Sequence, residues 1–157
     1  MAVTLRGASG RFGLPVAGCC VHGQNRDRQI LATDQKTEKE ETMPYFSIRT
    51  SQTLEASAVT ALTRKASAFA AELLGKPESY VMTSLQPGSA MTFAGSHEPA
   101  AFIEVRSIGL AEAHCSAFAE KISAFIHLQL GIDPNRVFID FTDLPPSRFA
   151  WNGKTFA

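Results

Sequence analysis

Pro44, which directly follows an internal methionine, is the residue whose chemistry depends most on where the chain begins. Inside a chain, a proline nitrogen is a tertiary amide that carries no proton and has no basicity. At a chain terminus the same atom is a secondary amine, and apolar surroundings shift such an amine towards its neutral form. Pro44 is therefore a candidate general base if it becomes the first residue. If it does not, it is an ordinary proline at the start of a strand.

Other catalytic patterns are absent from the sequence. It contains no Gly-x-Ser-x-Gly motif and no phosphate-binding loop. Its cysteines include no Cys-x-x-Cys pair and imply no disulfide framework. We predict no cofactor. We also predict no metal site, because the histidines show no pair at helical metal-ligand spacing; they are His22, His97, His114 and His127.

The balanced charge of the sequence argues against nucleic acid as a partner, and its short apolar runs argue against a membrane span. Lysine plus arginine equal aspartate plus glutamate at 15 each, so no basic excess indicates nucleic acid. No apolar run approaches the length of a transmembrane helix. The 157 residues allow one domain with a core, or a smaller domain with a tail.

Residues 1–42 differ in character from residues 43–157. They keep no strand or helix period for more than a few residues, and residues 34–42 are wholly polar, so we predict a disordered N-terminal extension. Three interpretations stay open: a poor signal peptide, an organelle transit peptide, and a mis-assigned start or dispensable tail, of which the last is favoured. The domain is predicted to occupy residues 43–157.

Strand and helix periods appear twice in the same order after Pro44. Apolar residues recur every three or four positions in two helical stretches, which end at Gly75 and Gly131 with a proline shortly beyond each. These glycines are 56 residues apart, as are Val81 and Val137. Strands flank each helix, and we predict them over residues 45–50, 80–85, 101–106 and 137–142. The domain is therefore a tandem repeat of one strand–helix–strand unit.

This repeat predicts an α+β fold of two layers. Each unit places its two strands parallel, and two units side by side give a four-stranded sheet with both helices on one face. Apolar side chains occur on both faces of the strands, as with Phe138 against Phe141 and Phe102 against Ile103. No third layer covers the second face, so we predict a homo-oligomer.

Five separated motifs follow the order of a known family. They are Met43-Pro44; Leu74-Gly75-Lys76-Pro77; Phe93-Ala94-Gly95-Ser96 with Glu98-Pro99; Ser107-Ile108-Gly109; and residues 151–157 from Trp151 to Ala157. Together they resemble the macrophage migration inhibitory factor and D-dopachrome tautomerase family of the tautomerase superfamily. The resemblance covers residues 43–157.

The resemblance implies a homotrimer whose sheets face inward. It also implies cofactor-independent keto–enol tautomerisation of phenylpyruvate-like acids and isomerisation of dopachrome-like compounds. In animals the family implies a cytokine-like role, with secretion by a non-classical route or a cytoplasmic location as the two compartments. A protein receptor is a further partner that the family allows, although no residue here identifies one.

The resemblance also assigns site residues. After removal of the preceding residues, Pro44 is the base, Lys76 receives the carboxylate or enolate charge, and the backbone amide of Ile108 contacts substrate. From its position alone, Lys76 would instead be a cation favourable to the helix end. An aromatic pocket wall is assigned to Tyr80, Phe149, Trp151 and Phe156.

Two substrate-binding positions depart from the vertebrate pattern. Phe138 stands in place of a tyrosine, and Asp140 stands in place of an asparagine. An ionised Asp140 near the site would repel an acidic substrate and hold a nearby amine in its charged form. These changes support the alternative hypothesis of a cytokine-like or other protein-binding module with a vestigial, inactive pocket.

Overall fold

The computed structural model describes residues 43–157. The predicted disorder of residues 1–42 therefore concerns residues outside the described part. Two long helices, α1 (Ala56–Leu74) and α2 (Glu112–Leu130), alternate with strands. The strands are β1 (Tyr45–Thr50), β2 (Met82–Gln86), β3 (Ala101–Ser107), β4 (Val137–Asp143), β5 (Ala150–Trp151) and β6 (Lys154–Thr155).

The main sheet confirms the tandem repeat. Its strand order is β2-β1-β3-β4, with β1 parallel to β2 and β3 parallel to β4. The two units meet where β1 and β3 pair antiparallel, with Tyr45 opposite Arg106 and Thr50 opposite Ala101. Each helix is thus the crossover of one parallel pair, as the repeat predicts.

Both helices end at the glycines that the sequence indicates. Gly75 and Gly131 adopt left-handed backbone conformations, with φ of 63° and 68°. The amide of Gly131 donates to the carbonyl of His127, and the amide of Lys76 donates to that of Ala71. These bonds satisfy carbonyl groups that the last turn leaves without a helical partner.

The core lies between the helices and one face of the sheet. Phe46 and Ile48 of β1 lie opposite Val105 and Ile103 of β3, and all four are fully buried. Both helices add to this cluster, through Ala66 and Ala70 of α1 and Ile122 and Ile126 of α2. The rings of Phe69 and Phe125 stack at 4.3 Å and join the helices. The prediction of two helices on one face is confirmed.

The second face of the sheet is more polar than predicted. Glu104 accepts hydrogen bonds from Arg49 and Arg106, and Tyr45 shares one with Ser84. The expectation of an apolar second face holds at Phe102 and Phe138, which are neighbours on β3 and β4. It is wrong where β1 pairs with β3, because the second face there carries the polar residues just named. No helix within residues 43–157 is long and apolar enough to cross a membrane.

Two local features differ from the sequence prediction. Tyr80 lies in a 3-10 turn, Glu78–Tyr80, and not in the second strand, which begins at Met82. The chain also ends in a hairpin of β5 and β6 that the periodicity did not predict. Its turn residues Asn152 and Gly153 both have positive φ, which is the conformation of a tight hairpin turn.

Candidate active site

Pro44 lies directly before β1, at the end of the sheet where β2 also begins. It is fully buried, and its carbonyl accepts a 2.9 Å hydrogen bond from the amide of Met82. This hydrogen bond is the first one between the two chain segments that pair as β1 and β2, and it fixes the backbone of Pro44. In the described chain the nitrogen of Pro44 is joined to Met43, so it is an amide without basicity.

Pro44 borders a cavity of about 340 Å³. The cavity is mainly apolar, and two of its apolar residues are unusually open for their type, with Met82 62% and Trp151 55% exposed. Ten residues line it: Met43, Pro44, Tyr45, Met82, Arg106, Leu144, Arg148, Phe149, Ala150 and Trp151. A concave apolar site with few polar groups is the usual form of a small-molecule site.

The C-terminal segment builds one wall of this cavity. The amide of Leu144 donates to the carbonyl of Ser107 at 2.9 Å, which directs the chain back over the end of β3. The amide of Phe156 then donates to the carbonyls of Pro146 and Phe149 at 3.2 and 3.1 Å. The rings of Phe149 and Phe156 stack at 5.7 Å. Phe156 therefore supports the wall from behind, and Phe149 and Trp151 line the cavity.

Two guanidinium groups supply the charge of the cavity. Arg106 donates to Glu104 at 2.7 Å, and Glu104 is shared with Arg49. These hydrogen bonds, first that from Arg49, lower the pKa of Glu104 and keep it ionised. Arg148 ends the 3-10 turn Pro146–Arg148, and among residues 43–157 its guanidinium has no ion-pair or hydrogen-bond partner. No carboxylate among the described residues lines the cavity.

Tyr45 extends the site onto the second face of the sheet. Its hydroxyl lies 2.8 Å from that of Ser84, which donates to Ser47 at 3.0 Å. Hydrogen bonding with Ser47 and Ser84 lowers the pKa of Tyr45. Phe46, the next residue of β1, points instead into the core.

Lys76 and Ile108 do not line the Pro44 cavity. Lys76 borders a separate cavity of about 60 Å³, together with Ser107, Gly109 and His114. Ile108 is 4% exposed and borders neither cavity. Tyr80 is half-buried in its turn after α1 and is also absent from the Pro44 cavity.

Phe138 and Asp140 lie away from Pro44 within one chain. Phe138 pairs with Phe102, at the opposite end of β3 from Arg106, so it is about 13 Å further along the strands. It is 46% exposed and contacts Phe93 edge to face at 4.9 Å. Asp140 is exposed and accepts a 3.4 Å hydrogen bond from Thr142. Of the nine residues assigned from sequence, Pro44, Phe149 and Trp151 line the same cavity.

Sequence reasoning missed five residues of the cavity: Met82, Arg106, Leu144, Arg148 and Ala150. A signal existed for Arg106, because alternation along β3 places it on the face of Glu104 and not in the core. No local signal existed for Arg148, because its position depends on how residues 144–151 return over the sheet.

The fold and this cavity together define a class of protein. A tandem strand–helix–strand domain with a proline before its first strand has the fold of the tautomerase superfamily. The family described as macrophage migration inhibitory factor (MIF) matches residues 43–157, and the chain belongs to this family.

Individual relatives agree with this membership. The chain is 41% identical over 115 residues to a macrophage migration inhibitory factor homologue of Brugia malayi, a match that covers 73% of this chain and 99% of the relative. Among solved structures, the homologue from Prochlorococcus marinus has a TM-score of 0.67 and 42% identity, covering 72% of this chain and 99% of that chain. The Toxoplasma gondii structure has a TM-score of 0.64 and 34% identity, covering 71% and 98%.

Proposed function

We propose that residues 44–157 form a cofactor-independent tautomerase that interconverts the keto and enol forms of small aromatic α-keto acids, of the phenylpyruvate type. Isomerisation of dopachrome-like acids belongs to the same chemistry. The observation that carries the proposal is the placement of Pro44, buried at the edge of an aromatic cavity of about 340 Å³. Membership of the MIF family supports it.

The proposed reaction moves one proton between carbon and oxygen. The free nitrogen of Pro44 takes a proton from the carbon next to the keto group, so a C–H bond breaks and an N–H bond forms. The electron pair moves onto the carbonyl oxygen, which takes a proton to complete the enol. Pro44 then returns its proton to water, and no oxidant or metal is consumed. A base is most effective when its pKa lies near the working pH, and apolar surroundings lower the pKa of an amine.

The surroundings of Pro44 favour a neutral amine. Phe149 and Trp151 line one side of the cavity with apolar surface, and the charge of Arg148 disfavours a further positive charge nearby. Asp140, whose carboxylate would have the opposite effect, lies outside this cavity within one chain. The departure from asparagine at Asp140 is therefore compatible with a neutral base in the isolated subunit.

The proposed activity depends on release of residues 1–43. Met43 holds Pro44 in a peptide bond and also lines the cavity, so a chain that keeps Met43 lacks the free amine that would act as the base. The role of Lys76 at substrate is carried over from the resemblance, and it requires an approach from the neighbouring cavity. For Phe138, Asp140 and Tyr80, contact with substrate requires residues from a second subunit or a rearrangement of this one.

The test compares three proteins: one that begins at Pro44, one that begins at Met1, and Pro44→Gly in the shorter form. Mass spectrometry first establishes the initial residue of each. Ketonisation of phenylpyruvate enol is then followed by its ultraviolet absorbance. We expect turnover from the protein that begins at Pro44, and a fall of about a hundredfold or more in kcat/KM for Pro44→Gly. The protein that retains residues 1–43 should be inactive.

Two outcomes would contradict the proposal. Unchanged turnover in Pro44→Gly would remove the proline from the mechanism. Equal activity in the protein that begins at Met1 would show that a free nitrogen is unnecessary. The mass of each oligomer, measured by light scattering, controls for loss of assembly.

A second function is favoured by the exposed apolar side chains. Met82 and Trp151 at the cavity and Phe138 on β4 present apolar surface that a protein partner could cover. In this reading the domain is a cytokine-like binding module with an inactive pocket. Absence of tautomerisation of any aryl-pyruvate by the protein that begins at Pro44, together with binding to a defined receptor ectodomain, would favour it.

A further inference from the structure

Two arginines border the Pro44 cavity, and they are additional to the lysine that the family resemblance assigns to substrate. Lys76 borders a different and smaller cavity of about 60 Å³. The cations that border the Pro44 cavity are Arg106 and Arg148. An acidic substrate within the Pro44 cavity therefore meets these two arginines.

Arg106 and Arg148 differ in whether their charge is already paired with a carboxylate. Arg106 donates to Glu104 at 2.7 Å, and Glu104 is itself only 8% exposed. This ion pair neutralises much of the charge of Arg106 and fixes its orientation. Arg148 has no such partner among residues 43–157. Arg148 is therefore the cavity cation whose charge remains open to a ligand.

The backbone under Arg148 is well fixed. Its amide donates a hydrogen bond to the carbonyl of Pro145 at 2.9 Å. The turn Pro146–Arg148 is also held by Phe156, whose amide donates to the carbonyl of Pro146. The next residue, Phe149, presents an aromatic surface to the same cavity. A guanidinium beside an aromatic wall matches a ligand that combines a carboxylate with an aryl ring, because Arg binds carboxylates with two parallel hydrogen bonds.

We propose that Arg148, with Arg106 beside it, binds the carboxylate of the substrate in the Pro44 cavity and makes the site selective for acids over their neutral esters. This inference rests on the proposed function for the identity of the substrate. It adds a specificity-determining residue that the sequence did not indicate. The aryl ring then lies against Leu144, Phe149 and Trp151.

A binding measurement tests the inference without requiring turnover. Trp151 is the only tryptophan of the chain and borders the cavity, so its fluorescence reports occupancy. The protein that begins at Pro44 is titrated with 3-phenylpropionate, an unreactive acid, and with its methyl ester. The variants are Arg148→Gln, which removes the charge, and Arg148→Lys, which keeps it. Arg64→Gln is the matched control, because Arg64 is exposed on α1 outside this cavity.

We expect Arg148→Gln to raise the Kd of the acid about tenfold or more, since hydrogen bonds between charged groups are the strong ones. The Kd of the ester should change less than twofold, because the ester lacks the anionic group. Arg148→Lys should recover part of the affinity, and Arg64→Gln should behave as the unmodified protein. The KM for phenylpyruvate should follow the same order.

An unchanged preference for acid over ester in Arg148→Gln would overturn the inference. So would an equal loss of affinity for acid and ester, which would indicate a change in cavity shape. The failure of the proposed function looks different. In that case the protein binds the acid through Arg148 and turns over no aryl-pyruvate.

Discussion

At the scale of single residues, the proposed activity and the stability of the domain depend on two groups, Pro44 and Glu104, whose charge is set by the atoms next to them. The nitrogen of Pro44 is an amide while Met43 precedes it and an amine when Met43 is gone. Glu104 is ionised because Arg49 and Arg106 both donate to it. It lies on β3 and accepts a hydrogen bond from Arg106, so its charge state also determines how Arg106 is held at the cavity.

Glu104 should make the stability of the domain dependent on pH. The hydrogen bond from Arg49 and the further contributions of both arginines hold its pKa below the ordinary value of 4.5. The folded state therefore binds fewer protons than the unfolded state around that pH. The stabilisation is present above the ordinary pKa and is lost as the pH falls through the lowered folded-state pKa.

We expect Glu104→Gln to lower the free energy of unfolding by about 1 kcal/mol at pH 7, and by less at pH 3. Urea unfolding at a fixed protein concentration measures both values. Glu120→Gln is the matched control, since Glu120 is exposed on α2 and forms no ion pair among residues 43–157. A loss in Glu104→Gln that is equal at both pH values would contradict the ion-pair explanation.

At the scale of elements, the two helices end by the same device. Gly75 and Gly131 both take up positive φ, and a Cβ built at either position meets no atom within 4 Å. The requirement for glycine is therefore set by the backbone conformation and not by space. This is why the glycines recur at the same place in both repeats although the helices otherwise differ in sequence.

Gly131→Ala should lower the free energy of unfolding by about 1 kcal/mol, because a left-handed backbone is strained for a residue with a Cβ. Gly131→Asn should cost less, since asparagine tolerates this conformation better. Thermal unfolding, monitored by circular dichroism, ranks the unmodified protein and the two variants by stability. Equal stability of the alanine and asparagine variants would argue against strain as the cause.

At the scale of the whole molecule, no helix of residues 43–157 packs on the second face of the main sheet. The helices pack on one face of the sheet, and the other face carries a polar centre with Phe102 and Phe138 at one end. Within residues 43–157, no strand pairs with the outer edge of β2 or of β4. These features support the proposed homotrimer, in which the sheets face one another.

Phe138→Glu should therefore reduce the size of the oligomer, because it places a charge on the exposed apolar end of that face. Leu128→Glu is the matched control: Leu128 is 79% exposed on α2, on the helical side of the domain. Light scattering coupled to gel filtration measures the masses, and circular dichroism checks the fold. A trimer mass retained by Phe138→Glu would exclude this end of the face from the interface.

The sequence by itself determined the repeat and its helix stops. Periods of two and of three to four, and glycines such as Gly75 and Gly131, act over a few residues and can be recognised without knowing the fold. Pro44 could also be singled out, because covalent linkage alone decides whether its nitrogen is an amide or an amine. The resemblance added Phe149 and Trp151, which do line the cavity with Pro44.

Only the tertiary structure decided which side chains share the cavity. Arg106 reaches it through the antiparallel register of β1 and β3, and Arg148 through the return of residues 144–151 over the sheet. The same long-range pairing places Lys76 in a neighbouring cavity and Phe138 at the far end of the sheet. Such pairings join residues that are tens of positions apart, so no local pattern contains them.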